Sequence, residues 1–514
     1  MSVTTRREDN VGYVEIDYPP VNAIGFSVRC GLLDAVRWAE KEWLDRVIVC
    51  GKGEIFSAGA DVCEFDSAPA DPHLPDVLNA IEQSFVPWIA AINGVALGGG
   101  AEIAMACRMR IMATGARIGL PEVTLGVIPG AGGTQRLPRL AGLSTTLDMI
   151  TSGKPVSATV ALTVGLVHAV EAEPVDAAFL VNTEELGCIV PAQELPAPEI
   201  DQELIAAARD RVRFTDAGQI APLRAIDVIE AGLTLPFLEG LAFERAAFLD
   251  LRRGEQAKAL RHVFFAERRT KSVPEFTADT VETDDEAAQD DSVGKRILER
   301  YREAADTVLM DGSTPWEIDE AMVEFGFAMG PYSSQDLTGL DIAHARRRRQ
   351  DASRDSGRRY IPIADRMIEL GKLGKKTGAG WYRYPGGGGR VDDPIVADIA
   401  LEEAHFAGIE RVDYTAHEIR ERLLLAMINE AAELLRTGTA QSASYIDLVT
   451  IRGYGFPRWR GGLMHYADTL GAASIVEKLE QFAQEDAVAW EISPLLKRCA
   501  AMGTPIADTK LINA

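Results

Sequence analysis

The sequence predicts an α/β domain followed by an all-α half. Three observations carry this reading. In the first 190 or so residues, short apolar runs alternate with segments of helical period and glycines punctuate the joins, the pattern of an α/β layer. From about Ile200 to Arg269 helical periodicity is nearly continuous. Beyond that lies an internal repeat of helix-type sequence, EAADTVLMDG…IDEAM…GFAMGP from Glu303 being echoed by EAAELLRTG…IDLV…GFPRWRGG from Glu430.

Taken in order, Val11 to Ile16, Arg46 to Cys50, Trp88 to Ile92 and Arg110 to Ala113 read as strands. Between them, Val28 to Trp43 and Ala101 to Cys107 read as helices. Leu204, Ala208 and Val212, then Leu241, Ala246 and Leu249, mark the helical region by spacings of three to five. Residues 271–291 hold eight acids against one lysine and few apolar side chains, so they read as an acidic linker. The repeat offset of about 127 residues is longer than solenoid periods and points to two copies of one helical module facing each other, with Gly386 to Gly389 a flexible break between them.

Composition narrows the function. A chain of 514 residues has room for about three or four domains of ~150 residues. With 47 % apolar and 25 % charged residues it matches ordinary soluble proteins. The formal charge of -24 disfavours nucleic acid and anionic membrane surfaces as partners. No apolar run reaches the roughly 18 residues of a membrane span, and no apolar stretch follows Arg6 and Arg7, so the expected location is cytoplasmic. Six scattered cysteines without a C-x-x-C pair read as reduced thiols, and no two of the seven histidines stand at the spacing of a metal-binding helix face, so no metal is expected.

The chemistry concentrates in Trp88 to Leu137. A strand runs into Gly98-Gly99-Gly100 and a helix, which exposes backbone N–H groups at a helix N-terminus: an anion or oxyanion site. Glu102 stands in that helix's first turn, and Glu122 follows Pro121 in an apolar loop twenty residues on. Two carboxylates in different settings suit general acid and base work. The helix terminus favours ionised Glu102, while desolvation and like charge favour a proton on Glu122. Taken singly, each glutamate also reads as a plain helix-start or surface acid.

Three motifs stand together here: F-S-A-G-A-D from Phe56, N-G-V-A-L-G-G-G-A-E from Asn93 and P-E-V-T-L-G-V-I-P-G-A-G-G-T-Q-R-L from Pro121. In order and spacing they resemble the crotonase, or enoyl-CoA hydratase/isomerase, superfamily. The resemblance implies a spiral of ββα units, with the N–H groups of Ala60 and Gly99 as an oxyanion hole for a thioester oxygen. It implies that Glu102 activates water and that Glu122 delivers a proton to C2 of an acyl-CoA. It also places Ala23, Ala58, Asp61 and Val62 along the CoA path and Gly130 against the active-site acid. Arg268 and Arg269, closing a helix read as Phe243 to Arg269, are candidates to meet the CoA phosphates, or else solvent-facing charges at a helix C-terminus.

Further on, Gly374 to Tyr382 (GKKTGAGWY) and Gly453 to Gly462 (GYGFPRWRGG) look like the C-terminal halves of 3-hydroxyacyl-CoA dehydrogenases. The whole chain therefore resembles the bifunctional hydratase/dehydrogenases of fatty-acid β-oxidation with their NAD-binding Rossmann domain missing. Its expected parts are a crotonase core at 1–195, a helical extension at 196–270, the acidic linker at 271–291, and dehydrogenase C-terminal-like modules at 292–395 and 396–514. No G-x-G-x-x-G follows a strand, and Lys295 stands where the family's Asn precedes Arg296, so no NAD site and no cofactor are expected.

The expectation is hydration of trans-2-enoyl-CoA without dehydrogenase activity. Two alternatives stand beside it: Δ3,Δ2-enoyl-CoA isomerisation in the same pocket, and a non-catalytic acyl-CoA-binding subunit. The expected partner is an acyl-CoA thioester. The chain is expected as a monomer or homodimer, with docking to a dehydrogenase or thiolase as a further role for the helical modules.

Overall fold

The computed structural model describes residues 2–68, 70–270, 291–342, 344–345 and 359–507. Of the acidic linker expected at 271–291, residues 271–290 lie outside the described residues. The chain forms two compact units, Met1–Arg261 and His262–Ala514.

The first unit begins with β1 (Val3–Glu8) and β2 (Val11–Ile16), followed by α1 (Phe26–Lys41). Three ββα turns follow: β3 (Arg46–Gly51), β4 (Ile55–Ser57) and α2 (Leu74–Gln83); β5 (Trp88–Ile92), β6 (Val95–Leu97) and α3 (Gly99–Ala106); β7 (Met109–Ala113), β8 (Arg117–Gly119) and α4 (Gly133–Ser152). The first strand of each turn joins a six-stranded sheet ordered β1-β2-β3-β5-β7-β10, with β10 at Ala169–Glu171. The second strand joins a four-stranded sheet ordered β4-β6-β8-β9, with β9 at Val156–Ser157. This is the ββα spiral.

Each turn stacks on the next through buried backbone, and asparagines satisfy its polar groups. Asn93 Nδ2 donates to the carbonyls of Gly51 (2.8 Å) and Gly53 (2.7 Å), while its Oδ1 accepts from Gly51 N (3.0 Å). Asn22 repeats the device one turn earlier, donating to the carbonyls of Ile55 and Lys52. Because β5 is buried along its whole length, it carries apolar residues at every position, as central parallel strands do.

Two elements differ from the sequence reading. β1, of sequence VTTRRE, is exposed beyond Val3 and so has no apolar pattern; antiparallel pairing with β2, from Val3 opposite Ile16 to Glu8 opposite Val11, makes it a strand. The helix expected from Phe243 to Arg269 is two: α5 (Ala158–Thr163), α6 (Pro174–Phe179), α7 (Thr183–Cys188), α8 (Gln202–Thr215) and α9 (Ala221–Gly232) lead to α10 (Phe237–Arg253), and α11 (Glu255–Arg269) follows. Gly254 separates the last two with an extended ψ of 154°, a break that glycine's poor helix propensity favours. The division between the units falls within α11.

In the second unit the repeat is written in aspartates. Asp319, on helix Pro315–Phe325, accepts from the amides of Tyr332 and Ser333 (both 2.8 Å), which open helix Pro331–Thr338. Asp447, on helix Ala443–Tyr454, accepts from Met464 (2.7 Å) and His465 (3.2 Å), which open helix Leu463–Leu470. The ends of these short helices also correspond: Asp336 binds the amides of Trp381 and Tyr382 (2.9 Å each), and Asp468 those of Ile506 (2.6 Å) and Ala507 (3.3 Å). Helices Asp291–Asp311 and Ala416–Arg436 pack together between the two copies. The glycine run 386–389 connects two paired strands, Tyr382–Arg383 and Val391–Asp392, within the first copy.

Asp319 and Asp447 are both buried, at 0 % and 1 % exposure. Replacing either by Ala strands two buried amides, so we expect Asp319→Ala and Asp447→Ala each to cost about 3 kcal/mol. Differential scanning calorimetry checks this: each variant should lower one transition, and unchanged melting would deny these aspartates their role.

Candidate active site

Four elements converge on one cavity of about 300 Å³ in the first unit. Ala60 and Asp61 enter it from the segment after β4, Gly99 and Glu102 from the start of α3, Glu122 from the 3-10 turn Glu122–Leu125, and Gly130 and Ala131 from the loop before α4. Apolar walls come from Ile24, Leu74, Phe65 and Phe248.

The two residues whose amides are expected to act together, Ala60 and Gly99, line the same cavity. Gly99 is the first residue of α3, so its N–H has no intrahelical acceptor. A Cβ on Gly99 would lie 3.6 Å from Ala60 N and 2.8 Å from a Leu74 methyl, so a side chain there would crowd the ground in front of both amides. Gly98 next to it has φ +51°, and a Cβ there would lie 2.9 Å from Glu122 Oε1. Glycine at 98 is thus required by the turn and by the close passage of the acid.

Burial raises both carboxyls, and they differ in their hydrogen-bond donors. Glu102 is 3 % exposed, and its Oε1 accepts from Ala131 N (2.8 Å) and Gly133 N (2.9 Å). These amides and the nearby Arg136 and Arg245 charges favour its ionised form against burial, which on balance still raises its pKa. The donors therefore come from the start of α4, whereas the expected source was the terminus of Glu102's own helix. Glu122 Oε2 is buried with no hydrogen-bond partner. Burial first, then the charge of Glu102, pushes Glu122 well above the usual carboxylate range.

The remaining expected residues divide. Asp61 lines the cavity and caps the following 3-10 turn by accepting from Cys63 N (3.0 Å). Ala23, Ala58 and Val62 lie beside that segment but do not line the cavity. Gly130 lines it, and a Cβ there would strike the Phe248 ring at 2.5 Å; glycines at which a Cβ would meet a carboxyl are Gly98 (2.9 Å from Glu122 Oε1) and Gly133 (3.1 Å from Glu102 Oε1). Arg268 and Arg269 line no part of the cavity; both belong to the second unit, where the Arg268 guanidinium lies 4.0 Å from the Phe264 ring centroid.

Three cavity arginines were missed. Arg29 pairs with Glu64 at 2.7 Å and donates to the carbonyl of Pro72, and Arg252 donates to the carbonyls of Glu64, Phe65 and Ser67. Both tie down the segment between β4 and α2. Among the described residues, Arg245 has a 3.5 Å contact to Gly130 O and lies over the Phe248 face. Its sole sequence signal is its place in a helical F-E-R-A-A-F run, which does not say which face meets the cavity. Among the described residues no group of three metal-type ligands occurs, and no helix is long and apolar enough to cross a membrane.

Comparison with known proteins agrees with this architecture. Residues 6–184 match the family model described as enoyl-CoA hydratase/isomerase, and residues 293–384 match that of the 3-hydroxyacyl-CoA dehydrogenase C-terminal domain. The peroxisomal bifunctional enzyme of Danio rerio is 28 % identical over 694 positions, covering 96 % of each chain. That of Homo sapiens is 28 % identical over 714 positions, covering 98 % of each. An alignment of 714 positions exceeds a chain of 514 residues by 200, which fits the omission of a nucleotide-binding domain. Among solved structures, carnitinyl-CoA hydratase from Mycobacterium avium aligns at 27 % identity over 53 % of this chain and 98 % of that one, with a TM-score of 0.39. The chain joins a crotonase-type spiral to a helical dehydrogenase-type C-terminal domain.

The raised Glu122 has a consequence for stability. Its folded carboxyl holds a proton above the ordinary value of 4.5, so between that pH and the raised value the native state binds more protons than the unfolded chain. Stability from this source is lost as pH rises across the window. Glu122→Gln has no such proton to lose, so its Tm relative to the parent should climb as pH rises above the ordinary value of 4.5; a difference that stays flat with pH would contradict the assignment.

Proposed function

We propose that this enoyl-CoA hydratase/isomerase domain adds water across trans-2-enoyl-CoA thioesters to give 3-hydroxyacyl-CoA. The observation that carries the reading is the gathering of Glu102, Glu122, Ala60 and Gly99 around one cavity. Attack at C3 of a conjugated thioester drives negative charge onto the thioester oxygen. The Ala60 and Gly99 amides are aimed where that charge develops, and a preorganised donor of this kind contributes about 3 kcal/mol.

Glu102 uses Oε1 to hold Ala131 and Gly133 and presents Oε2 to the attacking water, from which it takes a proton as the C3–O bond forms. Glu122 carries the second proton and gives it to C2 as the thioester enolate collapses. Water's second hydrogen stays on the new hydroxyl, and a proton passing from Glu102 to Glu122 restores both groups. The different environments support this division: two amides hold Glu102 Oε1, whereas Glu122 Oε2 is buried with no hydrogen-bond partner among the described residues.

One observation favours a second activity. An unpartnered, protonated Glu122 at the cavity is suited to move a proton between C4 and C2 of a 3-enoyl thioester, which is isomerisation and needs no water. For the helical modules we propose no hydride transfer. No G-x-G-x-x-G turn follows a strand, and Lys295 replaces the family's Asn before Arg296. The substrate's CoA is then the sole nucleotide-bearing group in the reaction.

The test is loss of conjugated-thioester absorbance on mixing the protein with crotonyl-CoA, without NAD. Glu102→Gln and Glu122→Gln should each lower kcat for hydration by about 10³-fold. Glu102→Gln should retain isomerisation of a 3-enoyl-CoA, whereas Glu122→Gln should lose both. An inactive but folded parent would sink the hydratase reading. A second prediction concerns the dehydrogenase half: with NAD and 3-hydroxybutyryl-CoA supplied together, no NADH absorbance should develop, and its appearance would show a nucleotide site that the sequence conceals.

A further inference from the structure

Glu244 stands outside every motif above and lines no part of the cavity, yet it is 1 % exposed. It projects from α10 onto the loop that precedes α4. Its carboxylate accepts from Gly132 N (2.5 Å), Thr134 N (2.8 Å) and Thr134 Oγ1 (2.5 Å). Ala131 and Gly133 give their amides to Glu102. Four successive N–H groups therefore alternate between two carboxylates, one from α3 and one from α10.

Peptide planes link those four donors, so the two that hold Glu102 cannot turn without disturbing the two that hold Glu244. The loop needs such restraint. Gly132 has φ +108°, and with Gly133 it gives the chain two residues free to adopt other conformations. Opposite Glu244, Arg136 Nη1 donates to Ala131 O (2.9 Å) and lies where a Cβ on Gly132 would be 1.8 Å away, so no side chain could restrict Gly132 from within.

We propose that Glu244 is a positioning residue for the hydration reaction: by holding Gly132 and Thr134 it keeps the amides of Ala131 and Gly133 on Glu102, and so keeps the base aimed at the water. The inference rests on the hydratase reading. Charge supports it. Glu102 and Glu122 face Glu244 from α3 and the 3-10 turn, Arg136 (paired with Glu82 of α2) from α4, and Arg245 from α10 itself, with Arg252 and Asp76 beyond. Burial and the Glu102 charge push Glu244 up to about 8, and Glu244 in turn raises Glu122.

Glu244→Gln should lower kcat about tenfold or more with KM within about twofold, since the group meets the base and not the substrate. Removing Glu244, one of the charges that raise Glu122, should also move the alkaline limb of the kcat profile to lower pH. Independently of activity, hydrogen exchange across residues 129–134 should quicken. A purely structural role would lower Tm while leaving kcat per folded molecule and the pH profile unchanged, and that result would overturn the proposal. Should Glu244→Gln not fold, Thr134→Val decides: it removes one of three hydrogen bonds and should lower kcat about threefold, and unchanged kcat and exchange would overturn the proposal. If the parent itself fails to hydrate crotonyl-CoA, the hydratase reading falls and with it the catalytic role; exchange then reports only whether Glu244 holds the loop.

Discussion

Burying carboxylates is the constraint on which the rest of the first unit depends. An isolated buried anion costs several kcal/mol, and here Glu102, Glu122 and Glu244 crowd the same region. The answer is the start of α4. Its amides from Ala131 to Thr134 are the donors that an α-helix leaves without partners, and two of the three acids consume them in alternation. The glycines of the loop let the backbone come this near: a Cβ at Gly132 would overlap Arg136, and one at Gly133 would press on Glu102. The P-G-A-G-G-T run thus specifies an anion cradle as much as a turn.

The same constraint explains what the sequence disclosed and what it hid. Gly99 and Glu102 are legible from one strand–glycine–helix stretch and Glu122 from its place after Pro121, whereas Ala60 and the combination of the four rest on the resemblance carried by the three motifs. Their gathering in one cavity needed only the spiral to close as expected. Glu244 and Arg245 were not legible because they reach the site from a helix more than a hundred residues away, and helical periodicity tells which face is apolar but not which distant loop it covers. Arg268 and Arg269 line no part of the cavity, and charge at a helix C-terminus leaves both a phosphate contact and a solvent-facing role open to the sequence. β1 escaped because an exposed edge strand is held by backbone pairing and leaves no apolar alternation to read. The helix break at Gly254 was visible as a residue and overlooked as a boundary.

In the second unit, the repeat was readable from E-A-A and I-D-x-x motifs, and the structure gives those letters a physical meaning. The aspartate of each I-D pair is a buried acceptor for the opening amides of the next α-helix, and Gly330 and Gly462 are small because a Cβ would strike Asp319 or Asp447 at 2.3–2.4 Å. Each copy carries its own caps and its own returning segment, and a single apolar core runs through both.

Within the site, chemistry is divided by hydrogen bonding and not by burial. Glu102 and Glu122 are both withdrawn from water, and desolvation alone would protonate both. Two amides on one oxygen shift Glu102 toward its anion. Burial, then the Glu102 charge, pushes Glu122 further up, and its Oε2 has no donor among the described residues. Each acid's state therefore depends on the other's, because in the proposed reaction the anion assigned as base is also a charge that raises its neighbour. A change that reorients the amides of Ala131 and Gly133 consequently acts on both roles at once: Glu102 loses its stabilisation, and as its charge weakens the reason for Glu122 to hold a proton weakens with it.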